Sequence, residues 1–267
     1  MDYYNTLDDV AQICINNFQM LVKFGNEDNL KQLQNGSVYM KNLKYYNELE
    51  ANEKSGKPDL FDGKWVLDSV NFRMSDPITQ EPIATGTAKT SVISFGYEKN
   101  PIFCLFSYDA RNCGAYKIDK SSRLITIETD FTKGQRNKIR TALGEYALVI
   151  LDTRTFINKI LTAAQSQNLE CLCKKVLYDE GNSVDKAYYI MSDKSNIAFS
   201  KRKSFEYQQE YRFLIKNYKV EDHLCLNIGD ISMISKIMST KELLNLRIEL
   251  TQKYEIKNNA VHCDLSE

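Results

Sequence analysis

The stretch SFEYQQEYRFLI, Ser204 to Ile215, places a cluster of polar side chains directly before an apolar run. The run YRFLI is typical of a buried strand, so we predict that a strand of the central sheet begins in this stretch. Alternate residues of an extended segment point to the same face. Gln208 and Glu210 are therefore predicted to lie side by side at the entrance of the strand, with Arg212 on the same face as Glu210.

Outward from this stretch, strand-like and helix-like segments follow one another without regular alternation, which favours an α+β fold over a doubly wound one. We predict a mixed, mostly antiparallel central sheet with peripheral helices. The predicted strands are QMLVKFG (19–25), SVYMKN (37–42), KWVLDSVNFRM (64–74), TSVISFGYE (90–98), PIFCLFSYD (101–109), GAYKIDK (114–120), LITIETD (124–130), ALVILDT (147–153), KKVLYDE (174–180) and LCLNI (224–228). The segments 90–98 and 101–109 fit either two strands or one strand and one buried helix. The predicted helices are 7–17, 26–36, 132–146, 153–172 and 239–254.

The composition is that of an ordinary globular chain, and we predict a single domain over residues 1–267. Residues 51–64, rich in Lys, Asp and Gly, are predicted to form a loop or lid, and a C-terminal strand and helix within 231–267 are predicted to pack on the domain. The 35 basic and 35 acidic residues cancel, so no overall field attracts nucleic acid or an anionic membrane. No apolar run is long enough to span a bilayer and the acidic start lacks a secretory pattern, which predicts a cytoplasmic protein.

Metal-dependent chemistry has little support in the sequence. The seven cysteines are scattered and fit reduced structural thiols, while the two histidines both lie near the C-terminal end. No glycine-rich phosphate loop or nucleophile elbow is present. A nuclease would need clustered carboxylates for a metal, and only Asp59, Asp62 and Asp68 are loosely grouped.

Four segments together resemble an uncharacterised bacterial family that carries an aromatic–Asn–Asp–Pro–aromatic–Glu motif and ends in Glu-x-Glu-Tyr-Arg. The segment YYNELE, 45–50, is similar to the first motif, although it lacks the Pro and has Glu in place of Asp. The core stretch 91–119 and the closing segment 234–250 also resemble the family, although Leu105-Phe106 and Cys113 replace its Met-Trp and His. The matching residues in the core and in the Glu-x-Glu-Tyr-Arg region are Ser94, Phe95, Asn100, Tyr108, Ala110, Gly114, Val176, Tyr178, Lys203, Phe205, Glu210, Tyr211 and Arg212.

This resemblance implies an architecture like that of the ADP-ribosyltransferases, with NAD as co-substrate, and a gene neighbourhood of phage defence or mobile elements. In such enzymes a Glu at the head of a core strand stabilises positive charge as the glycosidic bond opens, and a Gln or Glu two residues earlier orients the acceptor. The resemblance implies these roles for Glu210 and Gln208. The alternative from the residues alone is an ion pair between Glu210 and Arg212 or a lysine across the sheet.

The resemblance also implies candidate contacts for the cofactor and for a target. Lys23 on the first strand is the expected phosphate or ribose contact, Ser94 the hydroxyl of a central strand that supports the cofactor, and Arg212 a phosphate clamp. Tyr39 and Tyr108 are candidates for stacking on the nicotinamide or adenine ring. The candidate contacts to nucleic acid or another substrate are Asn47, Glu50, Arg111, Lys201, Arg202 and Lys203.

Two functions follow as expectations. The first is an intracellular bacterial effector, acting in phage defence or as a toxin, with NAD-dependent ADP-ribosyltransferase activity centred on Glu210. The second is a non-catalytic binding or regulatory module of the same fold that binds nucleic acid or a protein partner. The acceptor, the oligomeric state and any antitoxin-like partner are left open by the sequence.

Overall fold

The computed structural model describes residues 3–4, 12, 15–52, 62–67, 70–88, 91–119, 124–180, 184–251, 254–257 and 260–263. Within these residues the chain divides into two compact units. Unit 1 comprises residues 1–36, 105–158 and 229–267, and unit 2 comprises residues 37–104 and 159–228. None of the described helices is both long enough and apolar enough to cross a membrane.

The described helices and strands are numbered in chain order. The helices are α1 (Glu27–Gln34), α2 (Leu43–Asn52), α3 (Lys133–Ala142), α4 (Thr153–Gln165), α5 (Val184–Ser192) and α6 (Thr240–Leu243), with 3-10 helices at Ala110–Asn112, Lys194–Phe199, Lys203–Gln208 and Ser232–Ile234. The strands are β1 (Tyr3–Tyr4), β2 (Gln19–Gly25), β3 (Ser37–Asn42), β4 (Lys64–Leu67), β5 (Val70–Ser75), β6 (Pro82–Ala88), β7 (Ser91–Ser94), β8 (Pro101–Asp109), β9 (Cys113–Asp119), β10 (Leu124–Thr129), β11 (Tyr146–Ile150), β12 (Cys171–Lys175), β13 (Leu177–Asp179), β14 (Ser200–Arg202), β15 (Glu210–Ile215), β16 (His223–Asn227), β17 (Ser235–Ser239), β18 (Arg247–Thr251), β19 (Tyr254–Lys257) and β20 (Ala260–Cys263).

Unit 1 is built on antiparallel strands. Its main sheet has the order β17, β11, β2 and the second half of β8, and a smaller sheet has the order β18, β10, β9. Consecutive residues of its central strands are buried, 20–22 on β2 and 147–150 on β11, so these strands are buried on both faces. One core cluster of unit 1 consists of Met20, Val22, Phe106, Tyr108, Phe131, Ile139, Ala147, Val149, Leu243 and Leu244.

Unit 2 combines antiparallel pairs with one parallel pair. Strand β12 pairs with β15, and β3 pairs with β16 and with the first half of β8, all antiparallel. The short strands β13 and β14 run parallel, with Tyr178 opposite Lys201. A core cluster of Leu43, Ile102, Ala198, Phe199 and Leu214 lies beside these strands. Because antiparallel pairing dominates both units, the predicted mixed and mostly antiparallel α+β class is confirmed.

Four consecutive strands of unit 2 form two antiparallel pairs, which together we call the ribbon arm. Strand β4 pairs with β7 and β5 pairs with β6, both antiparallel. The two pairings share one register, since Lys64 lies opposite Ser94, Val70 opposite Ala88 and Met74 opposite Ala84. The outer hairpin, residues 71–87, is exposed at nearly every position. The strand predicted at 64–74 is present as β4 and β5, and residues 68–69 between them lie outside the described residues.

Several element predictions are confirmed, and capping bonds mark where two of the helices begin. Asn26 caps α1 by accepting the N–H of Asn29 at 2.8 Å, and the helix ends two residues before Gly36, which adopts φ +99°. Thr132 caps α3 with a reciprocal bond from Gln135. The segment 101–109 is one strand, β8. The helix predicted at 7–17 lies largely outside the described residues, of which 12 and 15–17 are helical.

Three element predictions are wrong. The helix predicted over 239–254 has Ser239 as its N-cap but ends at Leu243, and Arg247–Thr251 is instead a strand paired with β10. The helix predicted over 153–172 ends at Gln165, and Cys171–Lys175 is strand β12, paired with β15. The segment before Glu210 is not extended, because Lys203–Gln208 forms a 3-10 helix. The loop predicted at 51–64 lies mostly outside the described residues, although α2 continues to Asn52 and β4 begins at Lys64. The chain divides into two compact units, and the single domain over residues 1–267 stays a prediction.

Candidate functional site

Four charged side chains of unit 2 meet in the interior and form what we call the buried ion-pair network: Asp62, Lys201, Glu210 and Arg212. Asp62 and Arg212 are each 1% exposed, and Glu210 is 9% exposed. Two acids and two bases balance, so the network carries no net charge. Burying charges in this way costs several kcal/mol per ion unless each one is paired and hydrogen-bonded.

Arg212 is the centre of the network. Its Nη1 and Nη2 donate to Oδ1 and Oδ2 of Asp62 at 2.9 and 2.6 Å, the bidentate fork that a guanidinium makes with a carboxylate. Its Nε donates to Oε2 of Glu210 at 2.6 Å, and Nη1 also donates to the carbonyl of Ala198 at 2.7 Å. The guanidinium is thus bonded along its whole edge. The phosphate clamp predicted for Arg212 would require these bonds to be replaced.

Lys201 contacts one carboxylate oxygen of Glu210 and one of Asp62. Its Nζ donates to Oε1 of Glu210 at 3.2 Å and lies 3.3 Å from Oδ2 of Asp62. The same ammonium lies 4.9 Å from the centre of the Phe205 ring, which gives it a cation–π contact. Both carboxylate oxygens of Glu210 are therefore engaged, Oε1 by Lys201 and Oε2 by Arg212.

The backbone around the network is held by neighbouring elements. The N–H of Glu210 donates to the hydroxyl of Tyr178 at 2.8 Å, and the N–H of Val176 donates to the carbonyl of Glu210 at 2.9 Å. Asn47 on α2 donates its Nδ2 to the carbonyl of Asp62 at 3.1 Å. These bonds bring α2, β13 and the turn before β4 to the first residue of β15. The sequence alone gives no reason for Asp62 to meet Arg212, which lies 150 residues away.

The electrostatics of the network keep both of its β15 residues charged. Burial by itself raises the pKa of Glu210, but Arg212 and Lys201 outweigh burial, so its pKa lies well below the usual range. Burial lowers the pKa of Arg212, but Asp62 and Glu210 outweigh it and the pKa lies well above its ordinary value. The pKa of the Tyr178 hydroxyl is raised, chiefly by burial. Glu210 is consequently a carboxylate at neutral pH.

Gln208 and Gln209 differ from their predicted arrangement. Gln208 ends the 3-10 helix, and Gln209 adopts the left-handed conformation with φ 40° and ψ 50° before β15 begins at Glu210. The prediction that Gln208 and Glu210 share one strand face is therefore wrong, because only Glu210 belongs to the strand. The prediction that Arg212 shares the face of Glu210 is confirmed by their direct bond. The Oε1 atoms of Gln208 and Gln209 are buried without a protein hydrogen-bond partner.

The three basic residues at 201–203 do not share one exposed surface. Lys201 is buried in the network, because β14 places it opposite Tyr178 and next to Glu210. Arg202 lies 5.5 Å from the Phe205 ring centre. Lys203 forms an exposed pair with Glu206 at 2.7 Å. The interpretation of Lys201 as a surface contact to nucleic acid is therefore wrong.

Tyr39 and Ser94 both lie on exposed surface of unit 2. The Tyr39 ring is 44% exposed and stacks on the His223 ring with centres 4.5 Å apart. Lys41 lies over both Tyr39 and Tyr45, 5.5 and 4.6 Å from the ring centres, and pairs with Asp222. We call Tyr39, Lys41, Tyr45 and His223 the aromatic face.

Ser94 does not lie on a central strand as predicted, because it ends β7 of the two-stranded ribbon arm. Its hydroxyl donates to Glu98 and accepts the N–H of Gly96 at 3.2 Å. These bonds give Ser94 a role in the turn after β7. The register with β4 places it opposite Lys64 rather than in the main sheet, which a strand pattern in the sequence does not reveal.

Three other candidates belong to unit 1. Lys23 lies on β2 opposite Leu148. Tyr108 is fully buried, makes edge contacts to the rings of Phe18 and Phe131, and donates its hydroxyl to the carbonyl of Asn112 at 2.9 Å. Its predicted role in stacking on a cofactor is wrong, because the ring is part of the unit 1 core. Arg111 makes a bidentate pair with Asp109, at 2.9 Å for both bonds.

The remaining candidates concern acidic residues. The side chain of Glu50 and the residues Asp59 and Asp68 lie outside the described part of the structure. Among the residues that are described, no three His, Cys, Asp or Glu side chains come together in a way that could hold a metal ion. Asp62 itself is engaged by Arg212 and Lys201, a role that the sequence did not predict for it.

Comparison with known proteins adds nothing to this geometry. The chain matches no family model, no curated protein and no solved structure.

Proposed function

We propose that this chain is a binding module without catalytic activity, in which the buried ion-pair network holds unit 2 together. The observation that carries the proposal is that both carboxylate oxygens of Glu210 are already engaged, by Arg212 and Lys201, at a residue only 9% exposed. A carboxylate that stabilises charge on a substrate needs an oxygen directed at that substrate. Freeing one here would leave a buried cation without its partner.

The aromatic face is the surface on which we propose that binding occurs. Exposed tyrosine rings stack on nucleobases, and a cation held between the rings strengthens such contacts. Tyr39 and Tyr45 are both exposed, and Lys41 lies over both rings. The ligand class that fits is one that carries a nucleobase, supplied either by a free dinucleotide such as NAD or by a single-stranded nucleic acid.

The test is a titration of the purified chain with NAD in one arm and with a fluorescent single-stranded oligonucleotide in the other. We expect Tyr39→Ala and Tyr45→Ala each to weaken binding by roughly five- to a hundredfold, because stacking of one base on an aromatic ring is worth about 1–3 kcal/mol. Tyr188→Ala is the matched control, since Tyr188 is an exposed tyrosine of unit 2 outside the aromatic face. Absence of binding in both arms, or equal weakening by the control, would contradict the proposal.

The second candidate is NAD-dependent ADP-ribosyl transfer, which the resemblance implies. It is favoured by the position of Glu210, an ionised carboxylate at the first residue of a strand, directly after the left-handed Gln209. Non-glycine residues in that conformation are uncommon and concentrate at functional sites. In this reaction the bond between ribose and nicotinamide breaks, nicotinamide leaves, and an acceptor atom on the target takes its place.

This candidate is tested by incubation of the chain with NAD labelled in its adenylate part and a cell extract. Transfer of label that is lost in Gln208→Ala and Glu210→Gln would support it, provided that each variant keeps the wild-type tryptophan fluorescence. The Gln208→Ala variant is included because Glu210→Gln is expected to destabilise unit 2. No transfer by the wild type, or transfer that both variants retain, would exclude Glu210 as a catalytic residue.

A further inference from the structure

Helix α3 of unit 1 concentrates positive charge within a chain that has no net charge. Its charged residues are all basic: Lys133, Arg136, Lys138 and Arg140. No Asp or Glu occurs in the sequence from residue 131 to residue 144, so no acid of α3 offsets these cations. Helix α6, which contacts α3, contains one base and one acid, Lys241 and Glu242, and adds no net charge. The helix therefore forms a local positive surface.

The solvent side of α3 is polar throughout. Residues 132–142 are all described, and the exposed ones are the cations Lys133, Lys138 and Arg140 and the small or polar Thr132, Gly134, Asn137, Thr141 and Ala142. The apolar Ile139 is 0% exposed and packs in the core cluster of unit 1. Positions 133, 137, 140 and 141 have the spacing of a single helix face. That face offers positive charge and hydrogen-bonding side chains without apolar area.

Arg136 fixes α3 to the rest of unit 1 instead of joining the exposed cations. Its Nε donates to the carbonyl of Phe131 at 3.0 Å, and its Nη1 donates to the carbonyl of Leu244 at 2.8 Å. The start of the helix is closed by the reciprocal capping bonds of Thr132 and Gln135. The exposed cations therefore project from a backbone that is already held in place, which lowers the entropy cost of binding a ligand.

The composition of this surface decides the kind of partner. A protein interface needs apolar or aromatic anchors, and a helix that lies on a membrane buries its apolar face there, whereas the apolar face of α3 is already in the core. Lys, Arg, Asn and Thr are side chains that contact phosphate oxygens, and the exposed residues of 132–142 include no aromatic ring on which an unpaired base could stack.

We propose that α3 binds the phosphate backbone of a double-stranded nucleic acid through Lys133, Lys138 and Arg140. At a rise of 1.5 Å per residue, Lys133 and Arg140 are separated by about 10 Å along the helix axis. Successive phosphates of one strand of a duplex are about 3.4 Å apart along its axis, so the cations span about three phosphates. Such contacts do not read bases, and binding is therefore independent of sequence.

The test is the salt dependence of binding, measured by fluorescence anisotropy with a labelled DNA duplex in one arm and an RNA duplex of the same sequence in the other. Two or three phosphate contacts predict that affinity for the DNA duplex falls by about ten- to fortyfold between about 50 and 200 mM salt. We expect Lys133→Gln and Arg140→Gln each to weaken binding and to reduce the slope of log affinity against log salt by about one.

The variants are chosen so that the fold is kept. Gln has a helix propensity close to that of Lys and Arg, and circular dichroism verifies that each variant is folded. Arg154→Gln is the matched control, since Arg154 is an exposed arginine of α4 in the same unit and interacts with Asp152. It should leave both the affinity and the salt slope unchanged.

Three results would overturn the inference. They are a wild type that binds neither duplex at about 50 mM salt, a salt slope that both α3 variants retain, and an equal loss of affinity in the Arg154→Gln control. Flotation of the wild type with phosphatidylserine vesicles, lost in Arg140→Gln and without duplex binding, would assign the surface to a membrane instead.

The inference does not depend on the aromatic face. The bases of a duplex are paired and stacked, so they are not free to stack on Tyr39 or Tyr45. We therefore expect Tyr39→Ala to bind both duplexes like the wild type, and Lys133→Gln to bind NAD like the wild type. Failure of duplex binding and failure of the proposed nucleobase binding are thus separate results.

Discussion

Replacement of Asp62 by Asn tests the buried ion-pair network most directly. Asp62 accepts two bonds from Arg212 and lies 3.3 Å from the ammonium of Lys201, so its neutralisation leaves two buried cations with the single carboxylate of Glu210. Removal of one partner from a buried pair typically costs about 3–5 kcal/mol. We expect Asp62→Asn to lower the free energy of unfolding of unit 2 by that amount.

The assay is urea unfolding followed by tryptophan fluorescence. The chain has a single tryptophan, Trp65, which lies on β4 of unit 2, so its signal reports on the unit that contains the network. Glu206→Gln is the control, because its pair with Lys203 is exposed and such pairs are worth about 0–1 kcal/mol. A loss below about 1 kcal/mol in Asp62→Asn would refute the buried pairing, since that is the value of a surface pair.

A double variant tests whether the charges of Asp62 and Lys201 depend on each other for stability. Lys201→Met removes one cation, so Asp62→Asn combined with Lys201→Met leaves one cation and one anion in the network. We expect the double variant to lose less stability than the two single losses added together, because contacting residues of one network are coupled by about 0.5–3 kcal/mol. Strict additivity would contradict the contact between Asp62 and Lys201.

Three further predictions concern pH, thiol reactivity and backbone conformation. The depressed pKa of Glu210 stabilises the folded state at pH values above the ordinary glutamate pKa of about 4.3. The urea midpoint of the wild type should therefore fall as the pH drops below that value. The contribution of Glu210 to this fall should be absent in Glu210→Gln. Cys225 is exposed whereas burial raises the pKa of Cys171 to about 12, so peptide mass spectrometry after brief alkylation at mildly alkaline pH should show Cys225 modified well before Cys171. Gly36→Ala should lower the melting temperature of unit 1, because Gly36 has φ +99° and an added Cβ would lie 2.5 Å from a backbone oxygen. Gly134→Ala in α3 should leave the melting temperature unchanged or higher, because its Cβ would lie at an ordinary contact distance of 3.9 Å from Oγ1 of Thr132.

Local patterns in the sequence predict the elements that local forces decide. Asn26 and Ser239 are recognisable as helix caps because their side chains bond the first turn of the helix that follows them. The end of the last helix is not predictable in this way, because the apolar residues of 247–251 fit both a helical and an alternating pattern. The segment is a strand because it pairs with β10. The residues near it in the sequence do not indicate this pairing.

The candidate site is predictable in part for the same reason. The contact of Glu210 with Arg212 follows from their spacing on one strand, and it is present. The sequence assigns Asp62 to a polar loop, and Lys201 to a basic surface, because their neighbours in the sequence are polar. Only the fold shows that both side chains point to the interior, where each compensates a charge on β15.

The balance of charge in the buried network restricts how this chain can change in evolution. A single substitution at Asp62, Lys201, Glu210 or Arg212 leaves a buried charge uncompensated, so the route from this network to an apolar interior passes through less stable intermediates. Two complementary substitutions made together avoid that barrier. We therefore expect the four positions to vary jointly among homologous chains, with loss of an acid accompanied by loss of a base.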